Sequence, residues 1–225
     1  MGLNLSNGRT AKELDLNRSD VQQMVTQLRE GVIKKKPDVI LQGTVEFDEV
    51  YVVASHKGNP EAVTEKDREG RRNRLKGARG RGTLEKEKPP IFGMIQRNGD
   101  VIIQMLPNVR QKTIEPLIKH SVLPGTLVYT DEYVIYHRLN DRGYKHESVN
   151  HGKGEYARDD DGDGFHEVYV NTMEEFWSLL RSRLRPHRGI SQEKLLLYLG
   201  FFEFIHNARK RGKALLHSLL YLLVK

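Results

Sequence analysis

Carboxylates are the residues of this sequence best suited to chemistry, and three stand out by their setting. Asp48 lies inside the β-rich run GTVEFDEVYVVAS (43–55), where a buried charge is costly unless it is paired or bound to metal. Glu46 and Glu49 flank it, and at least one carboxylate of that cluster is expected on an exposed face. Asp131 closes a short apolar run at 126–130, and Glu174 stands near the start of a helical pattern at 171–185. Phosphodiester chemistry needs in-line attack at a phosphorus ringed by negative oxygens. Two divalent cations held by carboxylates suit it, activating the nucleophile and stabilising the leaving oxygen. Hard cations such as magnesium favour such oxygen ligands.

Crowding is a poor guide to which carboxylates act. In DDDGDG (159–164), Asp159, Asp161, Asp163 and Gly164 match the opening of an EF-hand loop, but its twelfth position is Val170, where a bidentate Glu is needed. The flanks lack paired helices, so this reads as a solvated acidic loop between a strand and a helix. On a wheel at ~100° per residue, Met173, Phe176, Trp177, Leu180 and Leu184 share one stripe that must face the core. Glu175 points away, whereas Glu174, Asn171, Ser178 and Arg181 border the stripe. A group that reaches a site on the sheet must border the stripe. Glu174 is therefore the third carboxylate, with Asn171, a neutral oxygen donor, as its rival. Arg181 could reach a phosphate from the same edge; the alternative is a plain Glu–Arg surface.

The elements that must position these groups follow in order. NLSNGRTAKELDLNRSDVQQMVTQLREGVI has apolar residues at helical spacing (Ala11, Leu14, Val21, Met24, Val25, Leu28, Val32), and Ser19 with Gln22 suggests a capping box. It predicts helices near 9–14 and 19–33 around a tight turn, either a helix-turn-helix on DNA or a hairpin that only packs. After the strand at 43–55, GRRNRLKGARGRG (70–82) holds Arg71, Arg72, Arg74, Lys76, Arg79 and Arg81 with four glycines and no acid. It reads as an arm that meets phosphates through guanidinium forks, or as a solvated loop. PPIFGMIQRNGDVIIQMLP (89–107) is a hairpin turning at Asn98-Gly99. A helix at 113–122, the strand at 126–130, a helix at 132–140 and a strand at 145–149 come next, then helices at 171–185, 192–210 and 213–224. Three strands, a helix, a strand, a helix, a strand and then helices predict an α/β ribonuclease-H-like fold, a mixed sheet flanked by helices. In that fold the first strand gives an Asp from its middle, a later strand gives one from its end, and a following helix gives the third group. The expected division is a helix-turn-helix-like segment at 1–40 and a catalytic domain at 41–225.

Composition agrees with a polyanionic partner: the net charge is +7 and the pI about 9.5. No cysteine is present, which excludes disulfides, zinc ribbons and thiol nucleophiles and fits a cytoplasmic, nucleoid-associated protein. LLLYLGFF (195–202) and LLHSLLYLLV (215–224) are too short for a membrane span, and no signal peptide precedes the first motif.

VEFDEVYV, RRNRLKGARGRGTLEKEKPPIFGMIQRNG, VYTDEYVIY and VNTMEEFWSLLRSRL together resemble the DDE transposases of bacterial insertion sequences, most closely the IS-fifteen-ninety-five (ISXO-two-like) family. The similarity runs from about residue 40 to about 210, and the N-terminal helices also fit. The resemblance implies an enzyme that cuts DNA at element ends and joins the 3′ hydroxyls to a target, using Mg2+ or Mn2+. It implies Asp48, Asp131 and Glu174 as catalytic metal ligands, with Asn171 the ligand suggested by other members' motifs, and Arg181 as a DNA-binding residue. It places His166 where relatives often carry a histidine, as a phosphate contact or a structural residue. It also implies a dimer or higher multimer on paired DNA ends. Two departures stand out: the cysteine-rich zinc ribbon of many relatives is not in this sequence, and the DDDGDG insertion is foreign to the core motif. The alternative functions are a DNA-binding remnant or regulator without activity, and a plain metal-dependent nuclease.

Overall fold

The computed structural model describes residues 4–65, 81–149, 157–158, 168–187 and 189–209. Most of the basic arm (Arg71, Arg72, Arg74, Lys76 and Arg79), the loop at 159–164, His166, Glu167 and the helix expected at 213–224 lie outside them.

A period-two alternation builds the centre. In strand β1 (Thr44–Tyr51), Val45 and Phe47 enter one apolar cluster, while Val50 enters the other, on the face shared with Glu46 and Asp48. Strands β2 (Pro90–Gln96) and β3 (Val101–Met105) form the hairpin, with Asn98 in the left-handed region at φ 57° and the Gly99 N–H donating to the Gln96 carbonyl. Strands β4 (Leu127–Asp131) and β5 (Lys145–Val149) complete a five-stranded sheet of order β3-β2-β1-β4-β5. β2 runs antiparallel to β1 and β3, and β4 runs parallel to β1 and β5. That order and direction are those of a ribonuclease-H-like fold.

Helices cover both faces. Helix α4 (Gln111–Ser121) packs Ile114 and Ile118 on Phe47, Phe92 and Val128. On the other face α5 (Asn171–Leu184) brings Met173, Phe176, Trp177 and Leu180, and α6 (Gln192–Ala208) brings Leu195, Leu199 and Phe202. Helix α6 is apolar nearly all round because its second side, Phe201, Phe204, Ile205 and Ala208, is covered by Val32 of α2 (Arg18–Lys35). Its two polar interruptions close the outer edge of β3. Asn207 exchanges hydrogen bonds with the Val101 backbone at 2.8 and 2.9 Å, and the Glu203 carboxylate accepts the Ile103 N–H at 3.1 Å while pairing with Lys36. Helix α1 (Asn7–Leu14) leads into α2, α3 (Pro60–Glu65) follows β1, and the two-residue strands β6 (Ala157–Arg158) and β7 (Val168–Tyr169) pair ahead of α5.

Three local expectations are corrected. Ser19 does not cap α2: the helix starts a residue earlier with Asn17 as its N-cap, and the Ser19 hydroxyl turns to Asp20. Leu14 and Met24 are exposed, because the side of α2 that packs runs through Val21, Val25 and Val32. Residues 132–140 form no α-helix but two 3-10 turns, Val134–Tyr136 and Asn140–Arg142. The Asp131 carboxylate captures the Tyr133 N–H at 3.1 Å, and the β-branched and aromatic run that follows is a weak helix former. Among the described residues no helix is long and apolar enough to cross a membrane.

Candidate active site

β1 and β4 are neighbours, and their register pairs Glu46 with Tyr129. Carried two residues further, the same register sets Asp48 beside Asp131, the last residue of β4, on the face covered by α5. The parallel pairing thus does what the spacing of two distant sequence motifs required.

Asp48 is held from above. The Trp177 indole Nε1 donates to its Oδ2 at 2.9 Å, and Trp177 is 2% exposed. The approach depends on Gly93, which sits opposite Asp48 across the β1–β2 pair. A Cβ at Gly93 would lie 2.1 Å from the Met173 methyl and 2.6 Å from the Trp177 ring. A glycine inside a strand often marks such a close approach, so this signal was present in the sequence. Gly93→Ala is expected to destabilise the protein by about 1–3 kcal/mol through overpacking and to shift the emission of Trp177, the sole tryptophan. A urea titration followed by fluorescence checks both; unchanged stability would show that the helix has slack there.

Burial pushes the Asp48 carboxyl up to about 7, against hydrogen bonds from the Glu49 backbone and Trp177 that pull it down, with the charges of Asp131 and Glu174 adding to the rise. Asp131 and Glu174 therefore both lie within electrostatic reach of Asp48. Glu174 and Asn171 are both exposed on the border of α5, as are Ser178 and Arg181, and Glu175 is exposed as well. Asp131 is half-buried.

No member of the Glu46, Asp48 and Glu49 cluster is exposed, contrary to expectation. Each finds a partner instead. Glu46 is fully buried: its Oε1 accepts from Arg97 Nε and the Thr172 hydroxyl, each at 2.8 Å, and its Oε2 accepts the Met173 N–H at 2.9 Å. Arg97 also donates to the Tyr169 carbonyl at 2.8 Å and lies 3.6 Å over the Tyr169 ring. Val170, at the start of α5, makes no side-chain cap, so Glu46 of β1 satisfies the first turn from across the core. Glu46 and Arg97 thereby tie the helix carrying Glu174 to the strand carrying Asp48. Sequence reasoning missed this clamp; the signal was a second carboxylate two residues before Asp48, on the same face of the strand.

Glu49 faces the other side of the sheet and accepts the Tyr136 hydroxyl hydrogen bond. Burial pushes it up to about 8, with Asp48 and Asp131 adding to the rise and Arg81 opposing it. Arg81, the described end of the basic arm, stacks 3.6 Å over Tyr133, whose backbone N–H binds Asp131. Past Asp48 on β1, Tyr51, Val52 and Val53 join Arg181 and Arg185 around an open groove of about 310 Å³.

The donor chemistry would suit a hard divalent cation: carboxylate oxygens only, with repulsion at Asp48 from Asp131 and Glu174 that a cation would relieve. Among the described residues no group of three or more His, Asp or Glu side chains is placed to hold a metal ion.

A family model for the ISXO2-like transposase domain matches residues 40–207. An uncharacterized protein in transposable element ISH50 of Halobacterium salinarum is 34% identical over 221 residues, covering 97% of this chain and 70% of that protein. An uncharacterized transposase-like protein of Haemophilus influenzae is 30% identical over 103 residues, covering 46% of this chain and 77% of its own length. Among solved structures, a chain of the Mos1 strand transfer complex is similar at a TM-score of 0.30 and 12% identity, over 96% of this chain and 73% of that one. A chain of a simian T-cell lymphotropic virus intasome is similar at a TM-score of 0.38 and 8% identity, over 76% of this chain and 50% of that one. With the family model matched over most of its length and the ISH50 relative aligned along nearly all of it, this chain belongs to the ISXO2-like transposase family.

Proposed function

We propose that this transposase cuts DNA at the ends of its element and joins the freed 3′ hydroxyls to target DNA, with Asp48, Asp131 and Glu174 as its catalytic carboxylates. The observation that carries the reading is the placement of Asp48 and Asp131 on adjacent parallel strands and one face, with the charges of Asp131 and Glu174 felt at Asp48. Asp48, Asp131 and Glu174, with Asn171 as an alternative third donor, would hold Mg2+ or Mn2+. Bound there, the cations would supply charge stabilisation to the phosphate oxygens and acidify the attacking hydroxyl. Trp177 fixes the Asp48 carboxylate and excludes water from one side of it. Glu46 and Arg97 orient the helix bearing Glu174. Arg81, with the rest of the basic arm, and Arg181 bind backbone phosphates flanking the scissile bond, and the α1–α2 pair adds a second DNA contact. Such binding weakens steeply with salt. Two element ends are brought together by two or more copies of the chain.

The test is incubation of duplexes bearing the element's own ends with and without Mg2+, comparing wild type with Asp131→Asn. Nicked and joined products that require both the cation and Asp131 are the expected result. DNA binding without cation-dependent cleavage would leave a DNA-binding regulator, and cleavage without joined strands would leave a nuclease. Titrating Mn2+ against Trp177 emission reads metal binding independently of turnover.

A further inference from the structure

A second site lies where the N-terminal helices meet α5 and α6. Arg29 of α2 is 9% exposed, and its Nε makes no hydrogen bond. Its guanidinium is stacked 3.7 Å over the Tyr198 ring of α6, which supports its flat face, and Arg29 lines the cavity beside it. Arg183 of α5 and His187, in the turn that follows α5, line the same cavity, as does Asn4, whose side chain bonds the Arg183 carbonyl and the His187 Nε2. Burial draws Arg183 and His187 both below their usual values, with the Arg29 charge adding to each fall. Three nitrogen-rich side chains thus converge on a largely enclosed space of about 30 Å³, room for roughly two or three waters.

A buried guanidinium with an unmet donor is a costly feature unless an anion answers it. Arginine's planar fork matches a tetrahedral oxyanion, and the Tyr198 stack pre-orders it. We propose that this cavity is an anion site taking one phosphate group, held by Arg29 with Arg183, His187 and Asn4 around it. Because Arg29 and Asn4 come from the N-terminal region and the other groups from α5 and its following turn, an anion here would fasten the α1–α2 pair onto the core. The phosphate could be free in solution or part of a DNA backbone, and the test separates the two.

Thermal melting of the full chain is measured in sodium phosphate and in sodium chloride at equal ionic strength, for wild type and Arg29→Met, which keeps the apolar stem on Tyr198 and removes the charge. Wild type should show a saturable rise in melting temperature with phosphate, and Arg29→Met none. Duplex DNA binding by fluorescence anisotropy forms the second arm. A loss of about tenfold in affinity in Arg29→Met, with inorganic phosphate competing in wild type, assigns the site to a backbone phosphate. Phosphate protection with unchanged DNA affinity assigns it to a free anion. A wild-type protein whose melting is the same in both salts, and whose DNA affinity survives the substitution, overturns the proposal. The phosphate arm does not involve strand cleavage, so its outcome is separate from that of the catalytic reading, and it needs no variant to fail.

Discussion

Asp48→Asn is expected to abolish strand cleavage and, in the same molecule, to stabilise the metal-free protein at pH 8. The two effects share one cause. The Asp48 carboxyl stands at about 7 in the folded chain, raised first by burial and then by Asp131 and Glu174. The unfolded chain releases that proton near the ordinary carboxylate value of ~3.9. The folded state therefore holds the proton more tightly. The stability this contributes is fully present below about pH 4 and is lost as pH rises through about 7. At pH 8 the ionised carboxylate costs roughly 2–4 kcal/mol. Asparagine carries no charge yet still offers an oxygen to Trp177 Nε1. Urea titrations in chelator should show wild type losing stability from pH 5 to pH 8 and the variant losing much less. Some slope remains because Glu49, raised to about 8, acts in the same direction. Added Mn2+ should recover wild type at pH 8 and leave the variant unchanged. A variant less stable than wild type at pH 8, or one that still cleaves, would sink this account.

Glu46→Ala should be the most damaging substitution for folding, at about 3–5 kcal/mol. It removes the fully buried carboxylate from its ion pair with Arg97 and at the same time deprives the Thr172 hydroxyl and the Met173 N–H of their acceptor. Arg97 loses its carboxylate partner while its side chain stays 17% exposed. Glu46→Gln, which keeps one acceptor oxygen and an amide of similar shape, should cost markedly less, so the pair of variants distinguishes lost charge pairing from lost volume. Where Glu46→Gln folds, the first turn of α5 is expected to shift, and displacement of Glu174 by about 1 Å could lower cleavage on the order of 100-fold. Equilibrium unfolding of both variants is the measurement. A cost under about 1 kcal/mol for the alanine variant would mean that α5 is held by its apolar stripe alone.

The sheet was legible because its signals are strong and local. The β-branched and aromatic run around Asp48 marked β1, Asn98-Gly99 marked the hairpin, and a helical wheel separated Glu174 from the apolar stripe that Met173, Phe176, Trp177 and Leu180 form. The helix expected at 132–140 failed, because the Tyr133 N–H donates to the Asp131 carboxylate and that bond redirects the chain at the point where a helix would have to nucleate. Ser19 failed for a related reason: a capping pattern fits a nearby register equally well, and the helix takes Asn17 as its N-cap instead. The supports of the site left only unspecific signals. Glu46 meets Thr172 and Met173 across more than a hundred residues, and Gly93 matters only because Trp177 lands on it. A glycine inside a strand and a second carboxylate on its face are visible in the sequence, but neither names the distant residue that it meets.

The way α6 closes β3 has a consequence for how copies of this protein can meet. An unpaired outer strand is a template on which another chain can extend a sheet. Here the outward N–H groups of Val101 and Ile103 are already taken by the Asn207 amide and the Glu203 carboxylate, and the carboxylate is anchored in turn by Lys36 at the end of α2. A newcomer strand would have to strip off a helix and break an ion pair before forming its first rung. Self-association through this side of the sheet is thereby suppressed in the folded protein. It is released when α6 or the N-terminal helices come away, which makes loss of that docking the step that would open the way to aggregation.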